Sequence, residues 1–544
     1  MNKPKNLFSR FGTYTLILLW AMVWLIFFQG WYHYHFFFQE QNQLFLNSWS
    51  YIFTYFDKPA WLACLLGDWI TQFYYYLYAG PVILCCALFL TGIVCLKALR
   101  TAGIQRPWLA TSIAMIIMTI EAIFSFHYDH RLPSVLAVTG GATIFWLSTL
   151  LARHINRHSQ WLSAMMIFLS ATLTFWLFGC GIWMYSLLLI TGWLIHIKEA
   201  NSYLHLGILA ITLFIISICK RIYFLPFDAL YSYPGIGKLI MPQLDLEKKF
   251  AADDEYYFGN YSKLTRMVEA DPNPNQYMKY YYNLVMAQQR KLPDRLLAFS
   301  NNYLGTFENI GPDTPTLTIK TLNELYWILG DMTFAERATI LGMVNSPNNR
   351  NIRMTKRLAE INIVNGEWNA ARKFLRILQK TFVWHTWAEQ LLNALDHPEG
   401  EHQGLLKAYQ EKANLTNLTD TIRLSDNSYT IMQELLESNA ENHIALDYLL
   451  CSDLLLKDMD TFKRDYDQYC YRMENPPYQT KLYQEALMIY LAGTHAPQSE
   501  WQKYIHRNDL LERFLQYNEQ RGSDAFTDTY WYYFDKAETP KLSK

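Results

Sequence analysis

SYLHLGILAITLFIISICKRI, residues 202–222, is where this chain changes solvent. Its apolar run ends at Lys220 and Arg221, and from about residue 223 polar helical patterns take over. Upstream, 222 residues carry only 19 charged side chains, 13 basic and 6 acidic, whereas downstream Asp and Glu outnumber Lys and Arg by 42 to 34. One half is therefore built for lipid and the other for water. The formal charge of −1 conceals +7 in the first half and −8 in the second. Neither half has the dense basic stripe that neutralises phosphates in a duplex, which argues against nucleic acid as a partner.

Working back from that stretch, apolar runs near the roughly 20 residues a helix needs to cross hydrocarbon recur at 12–30, 79–97, 107–125, 133–151, 161–178, 181–196 and 202–219. The expectation is an all-α polytopic bundle of about seven spans. The first run continues past Trp20, Trp24 and Phe27 to Trp31 with no small-x-small cleavage site, so it reads as an uncleaved span rather than a signal peptide. Lys3, Lys5, Arg10, Lys97, Arg100, Arg106, Arg153, Arg157 and Lys198 fall on one side of these spans, which makes that side cytoplasmic. Lys220 and Arg221 depart from this pattern. An odd number of spans then places residues 251–544 in the periplasm of a bacterial inner membrane, after a connector at 223–250.

The topology depends on residues 59–78. They are apolar but contain Asp68, Thr71 and Gln72 and end in Tyr74, Tyr75, Tyr76 and Tyr78. Tyr and Trp prefer the headgroup level, where an amphipathic helix lies flat. Residues 31–78 are accordingly expected to be a large external loop with interfacial helices, and 1–222 as a whole the transmembrane domain.

Beyond Asp254 the apolar residues recur at helical spacing between turn clusters such as Asp271-Pro272-Asn273-Pro274, and no segment alternates as a strand. The stretch from Arg357 to Leu375 reads as two helices with Gly366 at a tight turn and Ala370 and Ala371 where the second packs closely. It resembles a tetratricopeptide repeat, and similar units start near Tyr256 with Gly259 and near Asn442. Such an array, an α-solenoid, implies a surface for a peptide or protein partner. Tyr280, Tyr281, Tyr282, Trp368 and Trp384 are expected as packing residues.

Six cysteines, Cys64, Cys85, Cys86, Cys95, Cys180 and Cys219, lie in or beside apolar runs and read as small hydrophobes. Cys451 and Cys470 could pair in an oxidising compartment if their Cα atoms approach within about 7 Å. Asp420-Thr421-Ile422 resembles a bacterial O-glycosylation acceptor triplet.

No phosphate-cradling loop, zinc-protease or nucleophile-elbow motif occurs. The chemistry must come from charges at membrane depth, which are functional suspects by default. Glu40, flanked by Gln39, Gln41 and Gln43, follows the first span, and Asp129 lies in the turn His127-Tyr128-Asp129-His130-Arg131. A carboxylate at such a boundary takes a proton from an acceptor hydroxyl or holds a divalent cation beside a phosphate, while Arg131 or a histidine neutralises the leaving phosphate. No metal ligand set is specified, because two histidines do not make a site.

The topology, with a large first external loop and an acid in each of the first two external loops, resembles the membrane module of C-type glycosyltransferases. That resemblance implies transfer of a sugar from a polyprenyl-phosphate carrier, with Glu40 and Asp129 catalytic and Gln39, Gln43, Asp68, His127, His130 and Arg131 binding substrate. Glu replaces the family's usual Asp, and no Asp-x-Asp pair is present. The chain is also similar to an uncharacterised family of bacterial membrane proteins with helical-repeat C-termini. The competing expectation is a non-catalytic, membrane-anchored scaffold for envelope assembly, transport or secretion. A transporter is less favoured, since internal repeats are not evident.

Overall fold

The computed structural model describes residues 5–154, 160–195, 201–218, 223, 225–299, 302, 304–306, 313–397, 399–400, 402–416 and 427–539. The Asp420-Thr421-Ile422 triplet and Cys219 lie outside the described residues. Among those described, all regular structure is helical. The chain divides into two compact units: residues 1–247 with Gln379–His385, and residues 248–378 with 386–544.

The first unit is built on seven apolar helices. They are α1 (Lys5–Trp31), α5 (Ala79–Ala102), α6 (Pro107–Phe124), α7 (Leu132–His154), α8 (Gln160–Phe178), α9 (Gly181–Ile195) and α10 (Asn201–Ile218). Between α1 and α5 the chain forms α2 (Tyr34–Gln41), α3 (Trp49–Phe53) and α4 (Trp61–Thr71), with 3-10 turns at Thr54–Asp57 and Gln72–Tyr75. Five helices, Gly12–Trp31, Ala79–Ala102, Pro107–Phe124, Leu132–Ala152 and Trp161–Phe178, are long and apolar enough to cross a membrane. Gly181–Ile195 and Tyr203–Ile218 are apolar but shorter, so the expectation of seven spans reduces to five on length and composition. With 11 residues, α4 is about 16 Å long, too short for a hydrocarbon core of about 30 Å.

The helices of this unit alternate in direction. At one end, the Tyr32 hydroxyl donates to the Phe126 carbonyl (2.8 Å), Ala60 N donates to Phe175 O and Cys180 N to Tyr233 O. At the other, Arg100 Nη2 reaches Thr13 Oγ1 (3.4 Å), the Lys97 ammonium lies over the Trp146 ring, and His205 meets Ser163. Small residues let α7 and α9 approach: a Cβ on Gly141 would lie 2.0 Å from Gly181 O, and one on Gly181 would lie 2.1 Å from Ala137 O. Interhelical hydrogen bonds add direction to a contact that apolar burial alone cannot orient in lipid. Thr91 meets Thr139 at 2.6 Å, and the Trp20 indole donates to Thr119. The stretch 223–247, expected as a connector, is part of this unit. A Cβ on its Gly237 would collide with the Phe124 ring.

The second unit consists of helices joined by short turns. Ile352–Val364 and Trp368–Leu378 flank Gly366, whose φ of 75° is the left-handed conformation that glycine adopts without strain. Leu244–Tyr257 with Tyr261–Ala270, and His443–Leu456 with Met459–Tyr469, form comparable successions near Tyr256 and Asn442. Tyr280, Tyr281 and Tyr282 are all buried and Trp368 is exposed, while Trp384, in the Gln379–His385 segment of the first unit, is half-buried. Cys451 and Cys470 are buried free thiols in one apolar cluster.

A charge network is buried in the same unit. Arg353 Nη1 donates to both oxygens of Asp253 at 2.8 Å, its Nη2 donates to Glu324 at 2.9 Å, and Arg357 Nη2 reaches Glu324 at 2.7 Å. Tyr281 completes the acceptor demand of Asp253. Burial alone would raise the Glu324 carboxyl, but Arg357 and Arg353 outweigh it and hold it down at about 2.

Candidate functional site

The polar centre of the first unit begins with α2. Its residues from His35 to Gln41 are all buried, an unusual fate for a helix containing Gln39, Glu40 and Gln41. Such a helix needs partners for its terminal N–H groups. Glu247 supplies them: Oε1 accepts from Tyr34 N (2.5 Å) and His35 N (3.4 Å), and Oε2 lies 3.3 Å from His35 Nδ1. The carboxylate thus sits at the positive end of the helix.

From α2 the amides reach out to the α6–α7 turn. Gln39 Nε2 donates to the Tyr128 carbonyl (2.9 Å) and the His130 carbonyl (3.3 Å). Beneath the turn, the buried Glu121 carboxylate on the last turns of α6 lies 3.4 Å from His130 Nε2. These contacts hold the turn from both sides and set the position of Arg131, the next residue.

Arg131 Nη2 donates to Gln43 Oε1 at 2.7 Å and to Asp68 Oδ1 at 3.0 Å. Asp68, on α4, takes the Tyr55 hydroxyl on its other oxygen at 3.0 Å, and Gln43 Nε2 donates back to the Asp68 carbonyl at 3.1 Å. Burial, then the Asp68 charge, pushes the Tyr55 hydroxyl far above its ordinary range, so it acts as a donor. Two positions of the first loop, Gln43 and Asp68, thereby meet a guanidinium from the distant α6–α7 turn, with Tyr55 behind Asp68. Its Nε and Nη1 hydrogens make no hydrogen bond to any described residue, and the side chain is partly open. The open edge is a planar fork of donors suited to phosphate or carboxylate.

The residues singled out in the sequence separate here. Gln39, Gln43, Asp68, His130 and Arg131 come together, and Glu40 lies within the same buried helix at 2% exposure. Asp129 does not join them: its side chain is 69% exposed, with the His127 ring 3.7 Å from its carboxylate. Tyr55, Glu121 and Glu247 belong to the centre and were not among the site candidates. Glu121 carried a signal as an acid near a span end. Glu247 carried none, since it lies over 200 residues from the helix it caps. No group of three or more His, Cys, Asp or Glu among the described residues is placed to hold a metal ion.

Fold and site together define an all-α, membrane-type protein with a polar centre at one end of its apolar helices. The chain belongs to the Family of unknown function (DUF6057), whose model matches residues 9–537. No curated protein matches it, and no solved structure does.

Proposed function

We propose that the chain is a transferase acting at the membrane boundary, of C-type glycosyltransferase kind, which moves a sugar from a polyprenyl-phosphate donor to an acceptor hydroxyl. The observation that carries this reading is the open edge of Arg131, oriented through one nitrogen by Gln43 and Asp68. In the reaction the acceptor hydroxyl attacks the anomeric carbon and loses its proton to the Glu40 carboxylate. The bond from that carbon to phosphate oxygen breaks, and Arg131 neutralises the polyprenyl phosphate that leaves. Asp129, exposed beyond Arg131, contacts the acceptor side, as does His127. The reading takes all seven apolar helices as spans, with the side of Arg100 and Arg106 cytoplasmic and the second unit periplasmic.

Binding of decaprenyl phosphate to the full chain in nanodiscs tests the proposal. Arg131→Ala should weaken it at least about tenfold, the scale of one lost charge-assisted contact. Glu40→Gln should keep the lipid and lose transfer. Unchanged decaprenyl phosphate binding by Arg131→Ala would overturn the reading.

A second reading is favoured by the packed helix pairs around Gly366 and Asn442. As a tetratricopeptide-like array they would bind a peptide or protein partner, making the chain an anchored scaffold for envelope assembly, transport or secretion. A stoichiometric partner that copurifies equally well with the Arg131→Ala and Glu40→Gln variants would favour it.

A further inference from the structure

Many tyrosines of the second unit are enclosed, as with Tyr281, Tyr448, Tyr483 and Tyr530. A group near its C-terminal end is open. Tyr471 lies in the 3-10 turn Cys470–Arg472 that follows the helix Met459–Tyr469, and Tyr478 in the connection before Lys481–Gly493. His506 lies in the connection between Gln498–Tyr504 and Asn508–Glu519. Tyr471 is 45% exposed, Tyr478 is half-buried and His506 is exposed. Their rings follow one another: the Tyr471 and Tyr478 centroids lie 5.4 Å apart, and so do those of Tyr478 and His506. Three segments thus contribute to one row of open rings. The row is held from behind, since fully buried Gln484 donates through Nε2 to the Tyr504 carbonyl and accepts at Oε1 from His506 N, both at 2.8 Å. Tyr466 braces Tyr471 edge to face. Rings fixed in advance leave little ordering cost for a ligand that stacks on them.

A polar edge runs beside the row. Lys463 Nζ donates to Asp467 Oδ2 at 2.5 Å and to the Tyr504 hydroxyl at 2.9 Å, and exposed Lys503 donates to the same hydroxyl at 3.1 Å. The Lys503 ammonium lies 5.9 Å from the Tyr471 ring centroid. Asp467 is 38% exposed, yet its Oδ1 is buried with no hydrogen-bond partner among the described residues. The acceptor demand of this carboxylate falls on the more open Oδ2, which Lys463 fills only in part. Burial first, then Tyr504, pushes the Tyr471 hydroxyl up to about 12 against the pull of Lys503, so it keeps its proton at neutral pH. A fitting ligand has an apolar face for the rings and hydroxyl hydrogens along its edge. A pyranose has both: the C–H bonds of one face meet the negative face of an aromatic ring, while its hydroxyls donate to Asp467 and accept from Lys503. A proline-rich segment would stack as well, but its prolines carry no N–H for the carboxylate.

We propose that the row Tyr471, Tyr478 and His506, with Asp467 and Lys503 at its edge, is an oligosaccharide-binding site that stacks two or three pyranose units, one on each ring. It binds and does no chemistry. The site stands whether or not Arg131 binds phosphate.

The test uses the full chain in nanodiscs, free of alkyl maltoside, which is itself a saccharide. It is applied to an array of bacterial oligosaccharides: peptidoglycan fragments, O-antigen and capsule repeat units, and β-1,4-linked N-acetylglucosamine oligomers. The tightest binder is then measured by titration calorimetry. Tyr471→Ala and Tyr478→Ala should each weaken it about tenfold, the scale of one lost ring stack, and Asp467→Ala several-fold. Three outcomes would overturn the proposal: no binding to any arrayed glycan, affinity unchanged in both Tyr471→Ala and Tyr478→Ala, or a proline decamer that binds more tightly than every glycan and is lost in Tyr471→Ala. Two rings from separate segments guard against a single variant that misfolds.

Discussion

Arg131 in the first unit and Arg353 in the second are both tied to carboxylates, yet one keeps a partly open edge and the other is enclosed. Arg353 is buried, and its two terminal nitrogens are taken up by Asp253 and Glu324. Arg131 is held through Nη2 alone, partly open, with the rest of the guanidinium unclaimed by any described residue. A buried guanidinium enclosed by two carboxylates marks a structural ion pair, and an oriented, half-used and partly open fork marks a group positioned for something else.

The comparison breaks most visibly at Arg353. Arg353→Ala leaves Asp253 buried without its cation and Glu324 with Arg357 alone, and should cost about 3–5 kcal/mol. Thermal unfolding of the full chain followed by circular dichroism would show it, and an unchanged melt would remove the contrast. Arg131→Ala should leave that melt within a few degrees.

Next in size is a pH effect confined to the second unit. Burial first, then Asp465 and Asp458, pushes the Asp453 carboxyl up to about 9, opposed by Tyr429 and Arg464. Burial likewise brings Asp447 and Glu485 up to about 7. Each folded value lies above the unfolded one, so the folded state keeps protons that the unfolded state has released. Their contribution is complete below about pH 4, the unfolded carboxyl range, and is lost as pH rises from there toward 9. We expect a loss of several kcal/mol between pH 6 and 9, the largest share from Asp453, and a flatter profile in Asp453→Asn. A profile identical in the variant would show that Asp453 carries none of it.

The Arg131 arm of the comparison is sharpened by ligand binding. Arg131→Lys keeps the charge but loses the planar fork, so decaprenyl phosphate affinity should fall several-fold, less than in Arg131→Ala. Equal loss in both variants would point to geometry as the whole contribution, and equal retention would discard the fork. The smallest effect belongs to Glu247. Glu247→Gln weakens the cap on α2 by about 1 kcal/mol, visible as faster amide exchange over residues 34–41 with the global melt almost unchanged.

Much of this was legible from residue order. Apolar runs of spanning length, the four successive tyrosine-rich positions before α5, and Gly366 between two helical patterns all act locally, through hydropathy and backbone preference. Gln39, Gln43, Asp68 and Arg131 were also readable as boundary polar residues. Which of them meet was not. Asp129 and Arg131 are two residues apart, yet one faces outward and the other inward, because the turn is pinned by Gln39 at its carbonyls and by Glu121 at His130. The apolar runs at 181–196 and 202–219 show the limit from the other side, since hydropathy marks seven runs while, among the described residues, five helices meet the length and composition of a span.

Sequence by itself determined the all-helical class, the division near residue 223 in solvent preference, and the stock of polar residues left at the membrane boundary. These follow from composition and period, which need no partner. Tertiary structure alone decided that Glu247 caps α2, that Asp68 and Gln43 share Arg131 with Tyr55 behind Asp68, and that Glu40 is enclosed while Asp129 is exposed. The physical reason is that hydrogen bonds between distant segments depend on where the packed helices bring their ends, and no local pattern of residues encodes that distance.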